Sequence, residues 1–214
     1  TTQGDAPIHY TLDGSEPTAA SPRYTGPVEI GKSAHFRATA LREGGENASY
    51  SREFAFSKST GRPAVLNTKP NDSYTFEGAS LLVDGYHSRP VFTSGAWLGY
   101  LDEPLDVTID MGGEQSYRSV ELETLAEKGD WIFPPSSVTV WVSDNGTDFT
   151  EVASVTVPEA KAGDADGIGR YRMQFPETSA RYLKVVAQNA AAIPAWHPGA
   201  GSKGFLFVDE IVVE

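Results

Sequence analysis

Val138-Thr139-Val140-Trp141-Val142 alternates along the chain, as do Leu105-Asp106-Val107-Thr108-Ile109 and Tyr171-Arg172-Met173-Gln174-Phe175. Successive side chains of an extended backbone point to opposite faces, so a period of two buries one face of a strand. Trp141 falls out of phase with Val140 and Val142 and is expected on the outer face. The same reading places strands over 8–12, 35–41, 52–56, 119–125, 181–187 and 204–213. Turn chemistry separates them at Asp13-Gly14, Glu43-Gly44-Gly45, Asp84-Gly85, Gly112-Gly113, Asn145-Gly146 and Pro198-Gly199. Two stretches, 124–129 and 179–192, have some helical character, but Tyr182, Val185 and Val186 give the second to a strand. The fold class is all-β, a sandwich.

The chain has 214 residues, with 21 glycines and 14 prolines that match this turn-rich reading. A hydrophobic share of 39% with 21% charged residues describes a chain that folds into a core. The net charge of −12 argues against a partner that offers phosphates, so no nucleic-acid binding is expected. Apolar runs such as 190–193 are far too short for membrane insertion. The absence of cysteine excludes disulfides, thiol catalysis and thiolate metal sites. Thr1 is an unnatural start with no apolar leader, and the chain reads as a piece of something longer.

A polar seam, Ser57-Lys58-Ser59-Thr60-Gly61-Arg62-Pro63, separates a small domain, 1–57, from a large one, 58–214. The first holds five basic and seven acidic residues, net −2, which leaves −10 for the second. About 57 residues without cysteine make a marginal core. The small domain is therefore expected to pack on its neighbour or to be a shortened module.

The segment Ile8-His9-Tyr10-Thr11-Leu12-Asp13-Gly14-Ser15-Glu16-Pro17-Thr18, with Ser21-Pro22-Arg23-Tyr24 and Pro27, resembles a particular module. It is similar to the small immunoglobulin-like module that follows the catalytic barrel in bacterial β-hexosaminidases and chitobiases. A tight Asp13-Gly14 hairpin is its expected local form. The large domain carries Leu82-Val83-Asp84-Gly85, Trp97-Leu98-Gly99-Tyr100, Val107-Thr108-Ile109-Asp110-Met111-Gly112 and Trp131-Ile132-Phe133-Pro134-Pro135. It continues with Val142-Ser143-Asp144-Asn145-Gly146, Arg181-Tyr182-Leu183-Lys184-Val185, Trp196-His197-Pro198-Gly199 and Phe207-Val208-Asp209-Glu210-Ile211. In that order these resemble the discoidin, or coagulation factor 5/8 type C, fold, a β-sandwich of jelly-roll type that includes carbohydrate-binding module family 32. Together the two halves look like the C-terminal region of secreted glycoside hydrolase family 20 enzymes of gut-type Bacteroidetes.

The resemblance implies that the catalytic barrel, with its adjacent Asp-Glu pair, lies outside this chain. Asp102-Glu103 and Asp209-Glu210 are such dipeptides, but neighbours in a strand face opposite ways, and both pairs read as structural. His9, His35, His87 and His197 follow no catalytic-base or paired metal spacing, and no nucleophile elbow or phosphate loop occurs. What remains is aromatic and polar chemistry in loops: Trp97 with Tyr100, Lys128 with Trp131, and Trp196 with His197. The C–H face of a sugar lies flat on an aromatic ring, and its hydroxyls need donors and acceptors at the rim. These six residues are the candidate carbohydrate site. The other reading of the tryptophans is that they pin long loops to the core, with His197 a backbone-bonded anchor. Leu98-Gly99 stands where the family's sugar-binding histidine would follow Trp97, so galactose specificity is not carried over.

No cofactor is required, but the family implies a structural calcium closed by an Asp-Gly loop and a near-terminal Glu, which match Asp84 and Glu210. Tyr86 and Arg89 stand where the family has oxygen ligands, so Arg89 or a backbone amide satisfying Asp84 is the competing reading. The expected function is a non-catalytic accessory region that targets a secreted β-N-acetylhexosaminidase to glycans containing N-acetylhexosamine or galactose. Its partners would be that glycan and the catalytic domain of the same polypeptide, in an extracellular, periplasmic or outer-surface location. The alternatives are a module that only braces the barrel, with Trp97, Trp131 and Trp196 buried against loops or the parent domain, and an adhesion module that binds protein or cell-surface ligands through an exposed apolar patch.

Overall fold

Ten strands and no α-helix are found among the described residues, 6–42 and 47–214, of this computed structural model. The expected Glu43-Gly44-Gly45 turn lies outside the described residues. Two compact units share the chain, Thr1–Phe56 and Ser57–Glu214.

The first unit is a three-stranded antiparallel sheet in the order β1 (Ile8–Thr11), β2 (Ala34–Ala40), β3 (Ala48–Phe54). Register sets Tyr10 opposite Ala38 and Ala38 opposite Tyr50, so one face collects the Tyr10, Phe36 and Tyr50 rings. Only Pro17, Thr39 and Ala40 of its described residues are buried, which is a thin core. Asp13-Gly14 is not a tight hairpin. Asp13 Oδ1 accepts the Ser15 N–H at 3.0 Å, Gly14 takes φ +80°, and the chain does not reach β2 until Ala34. Pro17 and Pro22 lack the N–H that a ladder needs, so an immediate return strand cannot form. Instead, the segment around Pro22 bonds the far edge of β1, with Tyr10 N–H donating to Pro22 C=O at 2.9 Å and Tyr24 N–H to Ile8 C=O at 2.8 Å.

The second unit contains β4 (Ala64–Leu66), β5 (Leu98–Tyr100), β6 (Leu105–Ala126), β7 (Ser137–Ser143), β8 (Thr150–Thr156), β9 (Gly167–Gln188) and β10 (Leu206–Val213). β6 and β9 are each 22 residues long and pair along their length. Leu105–Asp110 runs against Tyr182–Ala187 in one leaf, ordered β4-β6-β9-β7-β8. Residues 119–126 run against 167–174 in the other, ordered β5-β10-β6-β9. The leaves face each other across one core, to which Val107, Ile109, Val140, Leu183 and Val185 come from the first leaf. Val120, Leu122, Met173, Val208 and Ile211 come from the second. Trp141 is half-buried between the inward Val140 and Val142.

Four expected strands are therefore two. Gly112-Gly113 does not reverse the chain; it makes a bulge, with a register shift between Asp110 and Gln115. Gly112 sits at φ +79°, where a side chain is strained, and a Cβ there would lie 3.0 Å from Arg62 Nη1. Asp110 Oδ1 accepts the Gly112 N–H at 2.9 Å, and the carboxylate takes a fork from Arg181 at 3.0 and 2.8 Å. β5, β8 and the short β4 were not legible as strands. Short 3-10 turns at Asp72–Tyr74, Gly78–Leu82 and Phe92–Ser94 structure the long connection before β5, and another, Lys128–Asp130, follows β6. The seam clasps the last strand: Ser59 Oγ donates to Ile211 C=O at 2.6 Å and Lys58 N–H to Val213 C=O at 3.0 Å.

Leu122→Ala, in the centre of the core, is expected to lower stability by about 2–5 kcal/mol, read from urea unfolding of the full chain. Arg181 holds the Asp110 carboxyl down to about 2. Its native pKa is thus below the unfolded value of about 4, so its stabilising share is complete above that value and is lost as pH falls toward about 2. A carboxyl 13C titration of Asp110 with a midpoint near 4 would contradict this.

Candidate functional site

Trp97 and Tyr100 do not belong to an open site. Both are fully buried. Trp97 Nε1–H donates to Arg89 C=O at 3.0 Å, and the indole packs with Leu125, Ile132 and Phe207. Tyr100 ends β5, where pairing with Leu206 turns its ring into the main core, and burial pushes its phenol well above the ordinary range. Trp97 sits as the loop-pinning reading describes, and Tyr100, expected in the site, is a side chain of the main core. β5 is held by β10 in the β5-β10-β6-β9 leaf, a pairing that the motif Trp97-Leu98-Gly99-Tyr100 did not disclose.

The other four candidates converge. The 3-10 turn Lys128–Asp130 closes at Trp131, which takes φ +64°, with its N–H on Lys128 C=O at 3.0 Å and its own C=O accepting from Phe205 N–H at 2.8 Å. Lys128 is itself buried: its ammonium is bound to the Asp166 carboxylate and donates to Asp164 C=O at 2.9 Å. That partner holds the Asp166 carboxyl below its ordinary value. Lys128 is consequently a brace for the loop, and the expectation that it meets a sugar directly is not met. Glu127, beside it, is pushed up by burial and by Asp130.

His197 is also buried, with both ring nitrogens in use. Its Nδ1 accepts the Gly199 N–H at 3.0 Å, and its Nε2 lies 2.9 Å from Lys128 C=O. A backbone N–H can only donate and a carbonyl can only accept, so Nδ1 is the acceptor and Nε2 the donor. His197 is the backbone-bonded anchor of the alternative reading. Three rings meet it edge to face: Phe133 at 5.5 Å, Trp196 at 5.6 Å and Trp131 at 6.1 Å between centroids. The two indoles remain open, Trp131 at 42% exposure and Trp196 at 40%. Trp196 is fixed by Nε1–H donating to Ala160 C=O at 2.9 Å. Trp131 lies on bare backbone: a Cβ on Gly199 would sit 2.8 Å from its ring. Beside Phe133 opens a groove of about 400 Å³ walled by Pro134, Val157, Ala160, Ala191 and Pro194. Ala160 and this groove were not anticipated, and Pro198-Gly199 was read only as a turn; the runs Pro134-Pro135 and Ala190-Ala191-Ala192 were the signal for the groove.

A second cluster consists of carboxylates. Asp209-Glu210 sits at a register shift of β10 against β6, between Val208 and Ile211, so the two side chains do not simply oppose each other as in a regular strand. Asp209 accepts Ser88 N–H at 2.7 Å and Ser88 Oγ–H at 3.1 Å. Glu210 Oε1 accepts Gly85 N–H at 3.2 Å, and its Oε2 is buried without a partner. Burial raises Asp209 to about 8 and Glu210 to about 10, with Asp84 adding to the second. Asp84 Oδ1 accepts the Tyr86 N–H at 2.7 Å, the backbone-amide arrangement considered above. The orphaned Glu210 oxygen beside Asp84 fits a hard cation completed by carbonyls. No group of three or more acidic or histidine side chains suited to a metal comes together among the described residues. Nearby, buried Glu123 receives Arg170 Nε at 2.8 Å and pairs with His87 Nδ1 at 2.9 Å, which raises His87. The other dipeptide is a surface tie: Asp102 binds Lys203 Nζ at 2.7 Å and Glu103 accepts Lys69 N–H at 2.7 Å.

No curated protein matches the chain. Among solved structures, chitosan-binding module 1 of a chitosanase/glucanase from Paenibacillus sp. IK-5 is 17% identical, with 74% of this chain and 98% of that one covered and a TM-score of 0.48. A CBM32 module from Clostridium perfringens, solved with GalNAc-β-1,3-galactose, is 17% identical over 71% and 93%, with a TM-score of 0.47. A fucose binding module from Streptococcus pneumoniae is 21% identical over 74% and 94%, with a TM-score of 0.46. Residues 1–52 match the chitobiase/β-hexosaminidase C-terminal domain. Residues 67–203, more than half of the chain and the part of the sandwich that carries the two open indoles, match the F5/8 type C domain, and the chain belongs to that family.

Proposed function

We propose that the chain is a non-catalytic glycan-binding accessory region whose sugar platform is formed by Trp131 and Trp196. The observation that carries this reading is the pair of indoles, each about 40% exposed yet individually fastened around one buried imidazole. Water gains nothing from two rigid aromatic faces, whereas a sugar's C–H face is matched by them. A single shallow site of this kind binds with about −4 to −6 kcal/mol, in the high-micromolar to millimolar range, and gains from tethering through effective concentration.

The ligand class in this reading is a glycan containing N-acetylhexosamine or galactose. The module at 1–52 supports a secreted bacterial β-N-acetylhexosaminidase as the parent, with its catalytic domain as partner and the extracellular, periplasmic or outer-surface space as location. No helix among the described residues is long and apolar enough to cross a membrane. A purely bracing role would bury all three loop indoles against loops or the parent domain; within this chain Trp97 is buried and Trp131 and Trp196 are open. In the same reading a calcium ion is held by Asp84 and Glu210, where it would meet the Glu210 oxygen that is buried without a hydrogen-bond partner.

On a glycan array with titration of the best ligand, Trp131→Ala and Trp196→Ala are each expected to weaken binding at least about tenfold. Trp97→Ala is expected to cost about 3–5 kcal/mol of stability instead. A silent array, or a Trp131→Ala/Trp196→Ala double variant that binds normally, would sink the glycan reading. Calcium at about one hundred times its Kd is expected to add about 2.7 kcal/mol, a rise in Tm of about 5–10 °C. Glu210→Gln should abolish that rise, and an unchanged wild-type Tm would remove calcium from the reading.

A further inference from the structure

We propose that the groove beside Phe133 is a second subsite of the glycan platform, and that it takes an apolar aglycone: an alkyl or acyl chain joined to the sugar on Trp131 and Trp196. The inference rests on the glycan reading for the sugar and on the groove's own chemistry for the chain. The two sites are continuous. Ala160 lines the groove, and its C=O accepts the Trp196 Nε1–H at 2.9 Å. Pro194 and Ala195 also line it and lead directly into Trp196, and the Phe133 and Trp196 rings stand 6.4 Å apart between centroids. A sugar seated on Trp196 therefore has the groove beside it.

The lining selects the occupant. Four prolines, Pro134, Pro135, Pro158 and Pro194, form walls that lack an N–H. Alanine, valine, isoleucine and phenylalanine side chains supply nearly all the rest. Ser136 Oγ is already spent on Asn189 C=O at 2.8 Å, and Glu159, the charged residue of the lining, is exposed. Hydroxyls of a further sugar, or the amides of a peptide, would lose water here without gaining partners, whereas a hydrocarbon gains from leaving water. The volume of about 400 Å³ falls within the range of about 300–1,000 Å³ usual for small-molecule sites. The groove is also held in shape before any ligand arrives. Phe133 rests on Gly204 so closely that a Cβ there would lie 2.8 Å from the ring. Val157 N–H donates to Ser136 C=O at 2.9 Å, and Ile193 N–H donates to Ser202 C=O at 2.8 Å. These bonds fix walls that come from separate segments, so the chain enters a space that need not be made for it.

The test titrates methyl, butyl and hexyl glycosides of β-N-acetylglucosamine and β-galactose, and 1-hexanol, into the full chain while NMR follows the methyl groups of Val157, Ala191 and Ile193. A fully buried methylene is worth about fourfold in affinity, and the hexyl glycoside is expected to bind at least about thirtyfold more tightly than the methyl one. It should shift the Val157 and Ala191 methyls, which the methyl glycoside leaves unmoved. Ala191 is exposed, so Ala191→Asp and Ala191→Phe leave the core intact. Both variants should bind the methyl glycoside within about twofold of wild type and cut the hexyl gain to less than about threefold, the first by charge and the second by filling the groove. Methyl and hexyl glycosides that bind equally, a failure of both to bind, or a hexyl gain that survives in both Ala191 variants would each overturn the proposal. A hexyl gain that vanishes in both variants, with 1-hexanol shifting the same methyls and Trp131→Ala/Trp196→Ala binding normally, would uphold the groove as a hydrocarbon site and defeat the platform reading instead.

Discussion

The pairing of β6 with β9 is the constraint on which the sandwich depends. Two strands of 22 residues run through both leaves, so neither leaf exists without the other's half of the same hydrogen-bonded ribbon. A flat ribbon of that length could not cover its own apolar face. The bulge at Gly112, with Asp110 and Arg181 fixing its geometry, bends the ribbon so that Ile109 and Leu122 join one core. Loops such as 127–136 and 189–205 are then carried by strands that cannot move independently, and rigid strands are what allow exposed aromatic faces to hold their orientation.

Electrostatics in the second unit follow the same economy. Buried charge is either paired, as with Lys128 on Asp166 and Glu123 on Arg170 and His87, or left as a carboxyl that burial drives toward its neutral form, as at Asp209 and Glu210. The paired cases fasten loops to strands. The unpaired oxygen of Glu210 is different, because nothing in the core compensates it, and a hard cation is the simplest chemistry that would.

Strands were legible wherever apolar residues alternate, because that pattern is local. The runs Val138–Val142 and Tyr171–Phe175 needed no knowledge of their partners. The continuity of 105–109 with 119–125 was hidden because a glycine pair reads equally as a reversal or a bulge, and only Arg181, far along the chain, decides between them. The site shows the same division. Trp131, Trp196 and His197 could be named from composition in loops, but their convergence depends on Lys128 C=O and Gly199 N–H, backbone groups that carry no sequence signal. Trp97 and Tyr100 were misplaced for a related reason. An aromatic beside a glycine looks the same whether its strand is paired or free: pairing with β10 sets Tyr100 in the main core, and Trp97, just before β5, packs with Leu125, Ile132 and Phe207.

The clasp between the seam and the last strand has a consequence for how such a unit can be built into larger chains. Lys58 and Ser59 bond to Val213 and Ile211, so the sandwich begins and ends at one place. A unit whose ends adjoin can be spliced into a host polypeptide at a single loop, because entry and exit occupy one attachment point. It can also be circularly permuted: joining the two ends and opening the exposed stretch at 161–163 interrupts no strand. The seam and the end of β10 are thus held side by side at one corner of the sandwich.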